Sequence, residues 1–274
     1  MARKTWKTVA NFALGLIFTL FLLFPLYWMI NVSLTKPQNL LSYPPHFFPT
    51  DPTFDGYINA FRTQLPALVT SLVISLCTVA VTILIAAPAA YAMSKIKIKG
   101  SGVVLFLLMM AQMIPGIVLV MALYSIYAAV GLLNTYPGLI LADASASIPL
   151  AVILLRAYMS SIPDSLLEAA DLDGAGEVRK FFQIVLPLSR NSIVTASLFA
   201  FLFSWGDFLN ARSLTTGNSI VPFTLGLYRF IGSQTTDWNS IMATAVIASI
   251  PAAFLLVFAQ KYVSAGVTAG AVKD

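Results

Sequence analysis

Long apolar stretches alternate with short polar segments along almost the whole of this chain. A helix that crosses the hydrocarbon core of a membrane needs about 20 predominantly apolar residues. The chain offers six such stretches, at about residues 11–31, 68–93, 103–130, 136–158, 192–209 and 241–262. The pattern predicts an all-α membrane protein with six transmembrane helices, the longest of which tilt, kink or extend past the hydrocarbon.

The first apolar stretch follows Arg3, Lys4 and Lys7, an arrangement that a secretory signal peptide shares. Its apolar run is longer than the usual stretch of about 7–15 residues, and no small-residue cleavage site follows it. Tyr27 and Trp28 place aromatic side chains at its far end, as at a membrane interface. We therefore expect an uncleaved first transmembrane helix.

Lysine and arginine are unevenly shared between the two sets of connecting segments. Twelve of the 16 lie before span 1, between spans 2 and 3, from the last turn of span 4 up to span 5, or from the end of span 6 onwards. The other side carries Lys36, Arg62, Arg212 and Arg229. The positive-inside rule therefore predicts that both termini and the segment between spans 4 and 5 are cytoplasmic.

Two segments on the predicted outer side, about 33–66 and 211–240, are large enough for a structure of their own. The first contains six prolines and several aromatic residues, and the second contains Tyr228 and Trp238. Docking surfaces for another protein and caps at the membrane interface are both compatible with this composition.

Composition excludes several other classes of protein. Only 10% of the residues are charged, against about 25% in soluble domains, so the formal charge of +5 indicates membrane topology rather than nucleic-acid binding. Cys77 is the single cysteine and lies in an apolar run, which predicts a buried thiol and no disulfide framework or cysteine-based metal site. His46, the single histidine, has no potential partner ligands nearby, which argues against a metal or catalytic role.

The polar segment between spans 4 and 5 has the signals of two short helices. Ser161 and Pro163 suit the start of a helix, although the spacing of Ser165 and Glu168 also fits a capping box. Gly174 fits the left-handed position that ends a helix. A second helix follows, and we expect Pro187 to end it.

A glycine-joined helix pair serves either of two purposes. It can act as a rigid part that another protein moves, or it can rest on the lipid surface. The small residues Ala169 and Ala170 suit the first purpose, and the basic residues Arg179 and Lys180 beside two phenylalanines suit the second. Composition alone leaves both open.

A spacing pattern in this segment favours the first purpose. Glu168-Ala169-Ala170, three residues, Gly174, nine residues, Ile184, one residue and Leu186-Pro187 follow in order. This spacing resembles, at every fixed position, the signature loop of the membrane subunits of binding-protein-dependent ABC importers. The resemblance implies that the loop docks onto an ATPase subunit as a coupling helix. The coupling residues that it implies are Glu168, Ala169, Ala170, Asp173, Gly174, Ile184, Leu186 and Pro187.

Two further motifs resemble the carbohydrate-uptake branch of that family, in particular its smaller, maltose-type G permease. Trp205-Gly206-Asp207-Phe208 is similar to a Trp-Asn-Asp/Glu-Phe motif, with Gly206 in place of the usual asparagine. Residues 265–273 are similar to the Gly-Leu-Thr-Ala-Gly-Ala-Val-Lys tail of the same branch, with Val267 in place of leucine. The resemblance implies transport of a sugar, an oligosaccharide or a polyol, and glycerol-phosphate systems also belong to this branch.

The resemblance also implies an assembly and a location. The partners are a homologous second permease, two ATPase subunits and an extracytoplasmic solute-binding protein, in the inner membrane of a prokaryote. ATP and Mg²⁺ are expected on the ATPase subunits and no cofactor on this chain. Residues 1–10 and 263–274 are expected as cytoplasmic ends of one transmembrane domain, 11–262, whose coupling loop covers 160–190. Thr268, Gly270 and Lys273 of the tail are expected to contact the ATPase pair.

Polar residues within or beside the spans are candidates for the substrate path. Asp143 lies in span 4, and an ionisable residue at membrane depth usually faces a bundle interior or a water-filled path. Trp205, Asp207 and Asn210 combine an aromatic face with hydrogen-bonding groups, as sugar sites do, but they also fit an interfacial belt. Four prolines (Pro88, Pro115, Pro149 and Pro251) fall in or near spans and either gate the path or adjust packing.

The chain has no phosphate-binding G-x-x-x-x-G-K-[ST] loop, no metal-ligand cluster and no nucleophile motif, so we do not expect an enzyme. Two rival functions stay open. One is a secondary transporter, although ionisable groups within the spans are few. The other is an ABC permease for a non-carbohydrate solute such as glycerol phosphate, a peptide or an amino acid.

Overall fold

The computed structural model describes residues 2–96, 98–217, 219–231 and 237–271, with the side chains of 2–7, 229 and 263–271 left out. This part of the chain is helical, and it has no strand beyond an isolated bridge between Thr35 and Pro52. The helices are α1 Ala2–Leu34, α2 Asp55–Lys95, α3 Ser101–Ala111, α4 Gly116–Val130, α5 Tyr136–Ser160, α6 Asp164–Leu172, α7 Glu177–Lys180, α8 Leu186–Leu188, α9 Arg190–Trp205, α10 Leu209–Leu214, α11 Phe223–Ile231 and α12 Trp238–Ala271. The all-α prediction is confirmed for these residues.

Four of these helices are long and apolar enough to cross a membrane, namely α1, α2, α5 and α12. Two bent pairs also qualify by composition, and the total reaches six if each pair counts as one span. The first pair is α3 with α4, and the second is the 177–188 segment with α9. Large apolar side chains cover the outer faces of α1, α3 and α4, as expected where the surrounding solvent is lipid.

The third predicted span is wrong as a single helix. Residues 103–130 are divided between α3 and α4, whose axes differ by 100°. Pro115 stands immediately before α4 and has no N–H to continue the ladder from α3. The residue before a proline is also driven away from helical geometry, so the chain turns between Gln112 and Pro115.

The fifth predicted span, 192–209, is also interrupted. Helix α9 ends at Trp205, and Gly206 follows it as the capping residue. The Asp207 carboxylate then accepts the backbone N–H groups of Asn210 and Ala211 at 3.3 and 3.0 Å, which starts α10 as a separate helix. Asn210 therefore belongs to a different helix from Trp205.

Helices α1, α2 and α12 extend beyond the predicted spans. Thr53 Oγ1 accepts the N–H of Asp55 at 3.1 Å and caps α2, which then runs for 41 residues. The outer segment predicted at 33–66 therefore shrinks to residues 35–54. The segment predicted at 211–240 holds the end of α10 and the whole of α11.

The chain forms two compact units. One contains Met1–Leu65 and Gly226–Ile250. In it, the buried Asn239 side chain donates to the carbonyl oxygens of Ser33 and Thr35 at 2.8 and 2.9 Å. These carbonyls lie at the C-terminal end of α1, where backbone acceptors lack helical partners. A single amide on α12 therefore caps α1.

The other unit contains Pro66–Leu225 and Pro251–Asp274. Helix α5 packs along α9, and their core includes the fully buried Leu155 and Met159. Ala86 and Ala90 of α2 join the same core, because small residues let membrane helices approach closely. The predicted burial of Cys77 is wrong: its thiol is exposed, since Ile74 and Thr78 occupy the buried face of α2.

Candidate functional site

Helix α6 and the 177–188 segment form a helix pair joined by a tight turn. Gly174 has φ +76°, so the predicted left-handed position is confirmed. The N–H of Gly174 donates to the carbonyl of Asp171 at 3.0 Å, and that of Ala175 donates to the carbonyl of Ala170 at 2.9 Å. These bonds satisfy carbonyls at the end of α6 and fix the turn.

The start of the pair differs in detail from the prediction. Helix α6 begins at Asp164, directly after Pro163, and the Ser161 hydroxyl donates backwards to the carbonyl of Tyr158 at 2.7 Å. The capping-box alternative is wrong, because Ser165 lies inside the helix rather than before it.

The end of the pair also differs. A π-helical turn, Phe181–Val185, precedes α8, and Pro187 stands in the first turn of that helix. The helix continues through this proline, because the backbone N–H of Leu186 donates to the Phe181 carbonyl and that of Ser189 donates to the Val185 carbonyl. The segment therefore ends after Leu188, at a 77° bend before α9, and not at Pro187 as predicted.

The residues of the signature spacing separate into an exposed and a packed group. Glu168, Ala169, Asp173, Gly174 and Pro187 are exposed, whereas Ala170 is buried. Ile184 and Leu186 are half-buried against the core of the unit. The first limb of the pair, helix α6, therefore presents the signature outward. The second limb, residues 177–188, anchors the pair.

Large apolar side chains accompany the outward-facing residues. Leu172 at the end of α6 is 91% exposed, and Val178 and Phe182 on the second limb are exposed as well. Apolar side chains at the tip of a polar segment mark a surface that another molecule covers.

Charged residues tie the two limbs to each other. Lys180 Nζ lies 2.7 Å from Asp171 Oδ1 of the first limb and 2.5 Å from Glu177 Oε1 of the second. The Lys180 side chain is only 7% exposed. The hydrogen bond to Asp171, and to a smaller extent the one to Glu177, raises the pKa of Lys180. The hydrogen bond from Lys180, and to a smaller extent the one from Tyr91, lowers the pKa of Glu177.

These contacts bear on the lipid-surface interpretation of the pair. Lys180 points into the pair, and Arg179 Nε donates to Gln183 Oε1 at 2.9 Å. Both basic residues that suited a lipid surface are thus engaged within the chain. Sequence reasoning missed Asp171 and Glu177 as the partners of Lys180. The i,i+3 spacing of Glu177 and Lys180 was the available signal.

The pair also contacts the end of α2. Tyr91 donates its hydroxyl hydrogen to Glu177 Oε2 at 2.7 Å, and Lys95 Nζ lies 2.6 Å from Asp164 Oδ1. Neither contact has a local signal, because 86 and 69 residues separate the partners.

A second candidate site gathers polar side chains from several helices of the same unit. Asp143 of α5 is buried and accepts hydrogen bonds from Ser204 Oγ at 2.6 Å and Asn210 Nδ2 at 2.9 Å. Thr78 Oγ1 of α2 lies 3.4 Å from Ser204 Oγ. The structure therefore brings the predicted Asp143 and Asn210 into direct contact, and it adds Ser204 and Thr78.

Asp207 and Trp205 lie beside this cluster. Asp143, Ser204 and Asp207 line one recess of about 10 Å³, roughly the room for a single water molecule and far below the range of about 300–1,000 Å³ for small-molecule sites. The Trp205 ring is buried, with its centroid 5.5 Å from that of Phe201 and 4.8 Å from that of Phe223. The aromatic face predicted for a sugar is covered by other rings in this conformation.

The predicted tail contacts fall largely outside this description. Thr268 and Gly270 lie in α12, of which only the backbone is described at these positions. Lys273 lies outside the described residues.

The structure contains several apolar helices of membrane length, and an exposed helix pair connects two of them. These features define a polytopic α-helical membrane protein. Residues 82–269 match the family of binding-protein-dependent transport system inner membrane components. The chain belongs to this family, and it is therefore an inner-membrane permease subunit and not an enzyme.

Relatives of known name align over nearly the whole chain. The trehalose transport system permease protein SugB of Mycobacterium tuberculosis is 34% identical over 98% of this chain and 97% of its own length. The sulfoquinovosyl glycerol transport system permease protein SmoH of Agrobacterium fabrum is 33% identical over 92% and 89%. The trehalose/maltose transport system permease protein MalG of Thermococcus litoralis is 30% identical over 100% and 99%.

A solved structure has the same fold. It is a bacterial ABC transporter involved in the import of the acidic polysaccharide alginate. The two chains superpose with a TM-score of 0.82 at 21% identity, over 96% of this chain and 98% of that one.

Proposed function

We propose that this chain is one of two permease subunits of an ATP-driven importer for a sugar or oligosaccharide. The outward presentation of the signature residues on the helix pair carries the proposal. Glu168, Ala169 and Gly174 are exposed beside the exposed Leu172, while the second limb is packed against the core. A rigid, exposed element of this kind transmits displacement from a bound partner instead of absorbing it.

In the proposed cycle, two ATPase subunits bind ATP and Mg²⁺, close on each other and move the helix pair. The two permeases then change from an inward-facing to an outward-facing state. An extracytoplasmic binding protein releases its sugar into the path between them, and ATP hydrolysis resets the assembly. This chain itself binds no nucleotide and crosses the membrane six times, with both termini in the cytoplasm.

The carbohydrate assignment rests on relatives and on the Trp205–Phe208 and tail motifs. Several relatives at about this level of identity carry names of carbohydrate systems, including trehalose, trehalose/maltose and galactooligosaccharide permeases. The identity is near one third over almost the full length of each chain. This level supports the inference that the relatives and this chain share a class of substrate more strongly than the inference that they share one particular substrate.

For the substrate path we propose Asp143, Trp205, Asp207 and Asn210. Asp143 and Asp207 line a small recess inside the membrane-spanning part, where unpaired polar groups are strongly disfavoured. Asn210 donates to Asp143, and the Trp205 ring packs beside them against Phe201 and Phe223. Two further assignments follow from the family resemblance. The tail residues Thr268, Gly270 and Lys273 contact the ATPase pair, and residues 263–274 form a cytoplasmic tail after one transmembrane domain, 11–262.

Reconstitution tests this function directly. The chain is incorporated into liposomes with its second permease, its ATPase subunits and its binding protein, and uptake of a panel of labelled sugars is measured with and without enclosed ATP. We expect ATP-dependent uptake of one sugar class. ATP-independent uptake by this chain alone, or ATP-dependent uptake restricted to a peptide, amino acid or glycerol phosphate, would contradict the proposal.

Two variants test the coupling surface in the same preparation. Glu168→Lys reverses an exposed charge, and Gly174→Pro cannot adopt a φ of +76° because proline fixes φ near −65°. We expect both to abolish uptake while membrane insertion stays normal. Gly176→Ala is the matched control, because Gly176 has φ −70° and no atom within 4 Å of an added Cβ. Normal uptake by both test variants would refute the coupling role.

A further inference from the structure

The helix pair is joined covalently to two membrane helices only. Helix α6 follows α5 through a short connection at residues 161–163, and the second limb leads through a bend into α9. Helix α2 ends more than 60 residues earlier in the chain, at Lys95. Any direct contact between the pair and α2 therefore depends on side chains.

Lys95 supplies the first side-chain contact. Its ammonium group bonds to Asp164 Oδ1 at 2.6 Å and to the carbonyl oxygen of Ile162. The Lys95 side chain is only 3% exposed. The last residue of α2 is thereby bound at the start of α6, through a carboxylate that is itself 77% exposed and a backbone carbonyl.

Tyr91, one turn earlier on α2, supplies the second contact. Its hydroxyl donates to Glu177, the first residue of α7, and its ring centroid lies 5.2 Å from that of Phe181. A hydrogen bond and an aromatic contact thus hold the second limb at a fixed distance from α2.

The two contacts are joined through the pair itself. Glu177 also binds Lys180, and Lys180 binds Asp171 on the first limb. The hydrogen-bonded chain Tyr91–Glu177–Lys180–Asp171 crosses from α2 to the second limb and back to the first. The end of α2 is therefore tied to both limbs, and the limbs are tied to each other. Both lysine side chains are shielded from water, whereas their carboxylate partners are more than half exposed. Each pair therefore adds little to stability and acts mainly by fixing where the helices meet.

We propose that Tyr91 and Lys95 are positioning residues that make α2 move with the helix pair when the pair is displaced. Without them, displacement of the pair reaches α5 and α9 through the backbone, whereas α2 follows only through apolar packing. This inference rests on the proposed function, since it concerns how ATP-driven motion reaches the substrate path. Thr78 on the same helix α2 lies next to Ser204 of the proposed path, so α2 links the pair to that site.

The test measures ATP hydrolysed per sugar molecule transported in the reconstituted complex. Tyr91→Phe removes the hydroxyl and keeps the ring contact with Phe181. We expect the ATP-to-sugar ratio to rise about fivefold, the factor that corresponds to the net value of one hydrogen bond. Thermal stability and maximal ATPase rate should stay near wild type. Tyr124→Phe, at an exposed tyrosine of α4, is the matched control and should leave the ratio unchanged.

Two further variants make the outcome specific. Glu177→Ala removes the acceptor of the Tyr91 hydroxyl together with one partner of Lys180, so it should raise the ratio at least as far as Tyr91→Phe. Adding Tyr91→Phe to Glu177→Ala should change nothing further, because the hydroxyl then has no acceptor to lose. Lys95→Met should also raise the ratio, and Lys95→Arg should restore most of the coupling. A wild-type ratio in Tyr91→Phe and Lys95→Met, alongside ATP-dependent uptake by wild type, would overturn this inference and leave the proposed function standing. Failure of wild type to couple uptake to ATP would overturn both.

Discussion

Gly56 lies in the first turn of α2, directly against Asn239 of the same compact unit. A Cβ at position 56 would lie 2.1 Å from Asn239 Oδ1 and 2.9 Å from the Asn239 carbonyl oxygen. Both distances are shorter than non-bonded atoms allow. The Asn239 side chain has no room to retreat, because its amide is committed to the carbonyls of Ser33 and Thr35.

Gly56→Ala should therefore destabilise the protein by about 1–3 kcal/mol, the usual range for overpacking a filled site. The measurement is thermal unfolding of the purified protein in detergent. Gly15→Ala is the control, because Gly15 lies within α1 and an added Cβ there meets nothing within 4 Å. Equal melting temperatures for the two variants would show that the contact between Gly56 and Asn239 is looser than described.

Glu177 gives stability a dependence on pH at the acid end. Bonds from Lys180 and Tyr91 lower the pKa of Glu177, so its contribution is complete above the ordinary glutamate pKa of about 4.3. The contribution is lost as the pH falls through the lowered pKa. The pKa of Lys180 is raised, so its contribution is complete below the ordinary lysine pKa and lost only in strong alkali.

We expect the difference in melting temperature between wild type and Glu177→Gln to be constant from about pH 6 to 8 and to shrink below about pH 4. The difference should be small throughout, since the Glu177 side chain is about half exposed. Arg179→Gln, which removes an exposed charge from the same limb, is the comparison. A difference that grows on acidification would mean that protonated Glu177 is the better partner.

Single residues could be predicted from the sequence where the reason was local. Gly174 follows a helix and precedes another, so its left-handed backbone could be foreseen. Cys77 was placed wrongly, because the small polar residues at helical spacing on α2, such as Ser75, Thr78 and Thr82, mark its buried face and Cys77 lies off that face. Tyr91 was missed because its partner lies 86 residues away.

At the scale of elements, the helix pair depends on one turn. Gly174 has φ +76°, whereas Gly176, two residues on, has φ −70°. Neither glycine has an atom within 4 Å of an added Cβ, so an alanine at either position differs only in backbone strain. Left-handed backbone costs a residue with a Cβ about 1–2 kcal/mol.

Gly174→Ala should therefore loosen the turn and lower ATP-dependent uptake, and Gly176→Ala should be neutral or slightly stabilising. Hydrogen exchange of the Ala175 amide, which bonds to the carbonyl of Ala170, reports the turn directly. We expect faster exchange of this amide in Gly174→Ala only. Similar exchange in both variants would place the stability of the turn in the ion pairs of Lys180 instead.

Element type was predictable here, but continuity was not. Long apolar runs indicated helices correctly, yet the runs at 103–130 and 192–209 are each broken. Hydropathy continues through Pro115, and membrane helices often tolerate proline, so the sequence did not distinguish a kink from a 100° break. At Gly206 the break depends on the Asp207 side chain, which caps the next helix. Hydropathy does not reveal such a local hydrogen bond.

At the scale of the whole molecule, the contacts that assemble the candidate path join distant helices. Asp143, Ser204 and Asn210 come from α5, α9 and α10, and Thr78 comes from α2. One sequence indicates which residues are polar within apolar runs, but not which helices become neighbours. Buried polar groups need hydrogen-bond partners, so the sequence identifies these residues as candidates for the path but does not show which of them bond to each other.

Membrane orientation is the whole-molecule property that the charge distribution predicts, and the single cysteine makes it measurable. A Cys77→Ala background removes the native thiol, and one cysteine is then introduced at Leu41, 93% exposed, or at Ile98, 46% exposed. Ile98 lies between Lys95 and Lys99, in a segment that the positive-inside rule assigns to the cytoplasm. Leu41 lies in the segment assigned to the outside.

A membrane-impermeant maleimide added to intact spheroplasts should label Leu41→Cys and not Ile98→Cys. Permeabilised membranes should give labelling of both, which controls for the reactivity of each thiol. The reversed pattern would place the helix pair outside the cell, away from ATP, and would remove the basis for coupling. Labelling of both sites in intact spheroplasts would mean that residues 41 and 98 lie on the same side of the membrane, so that α2 does not cross it.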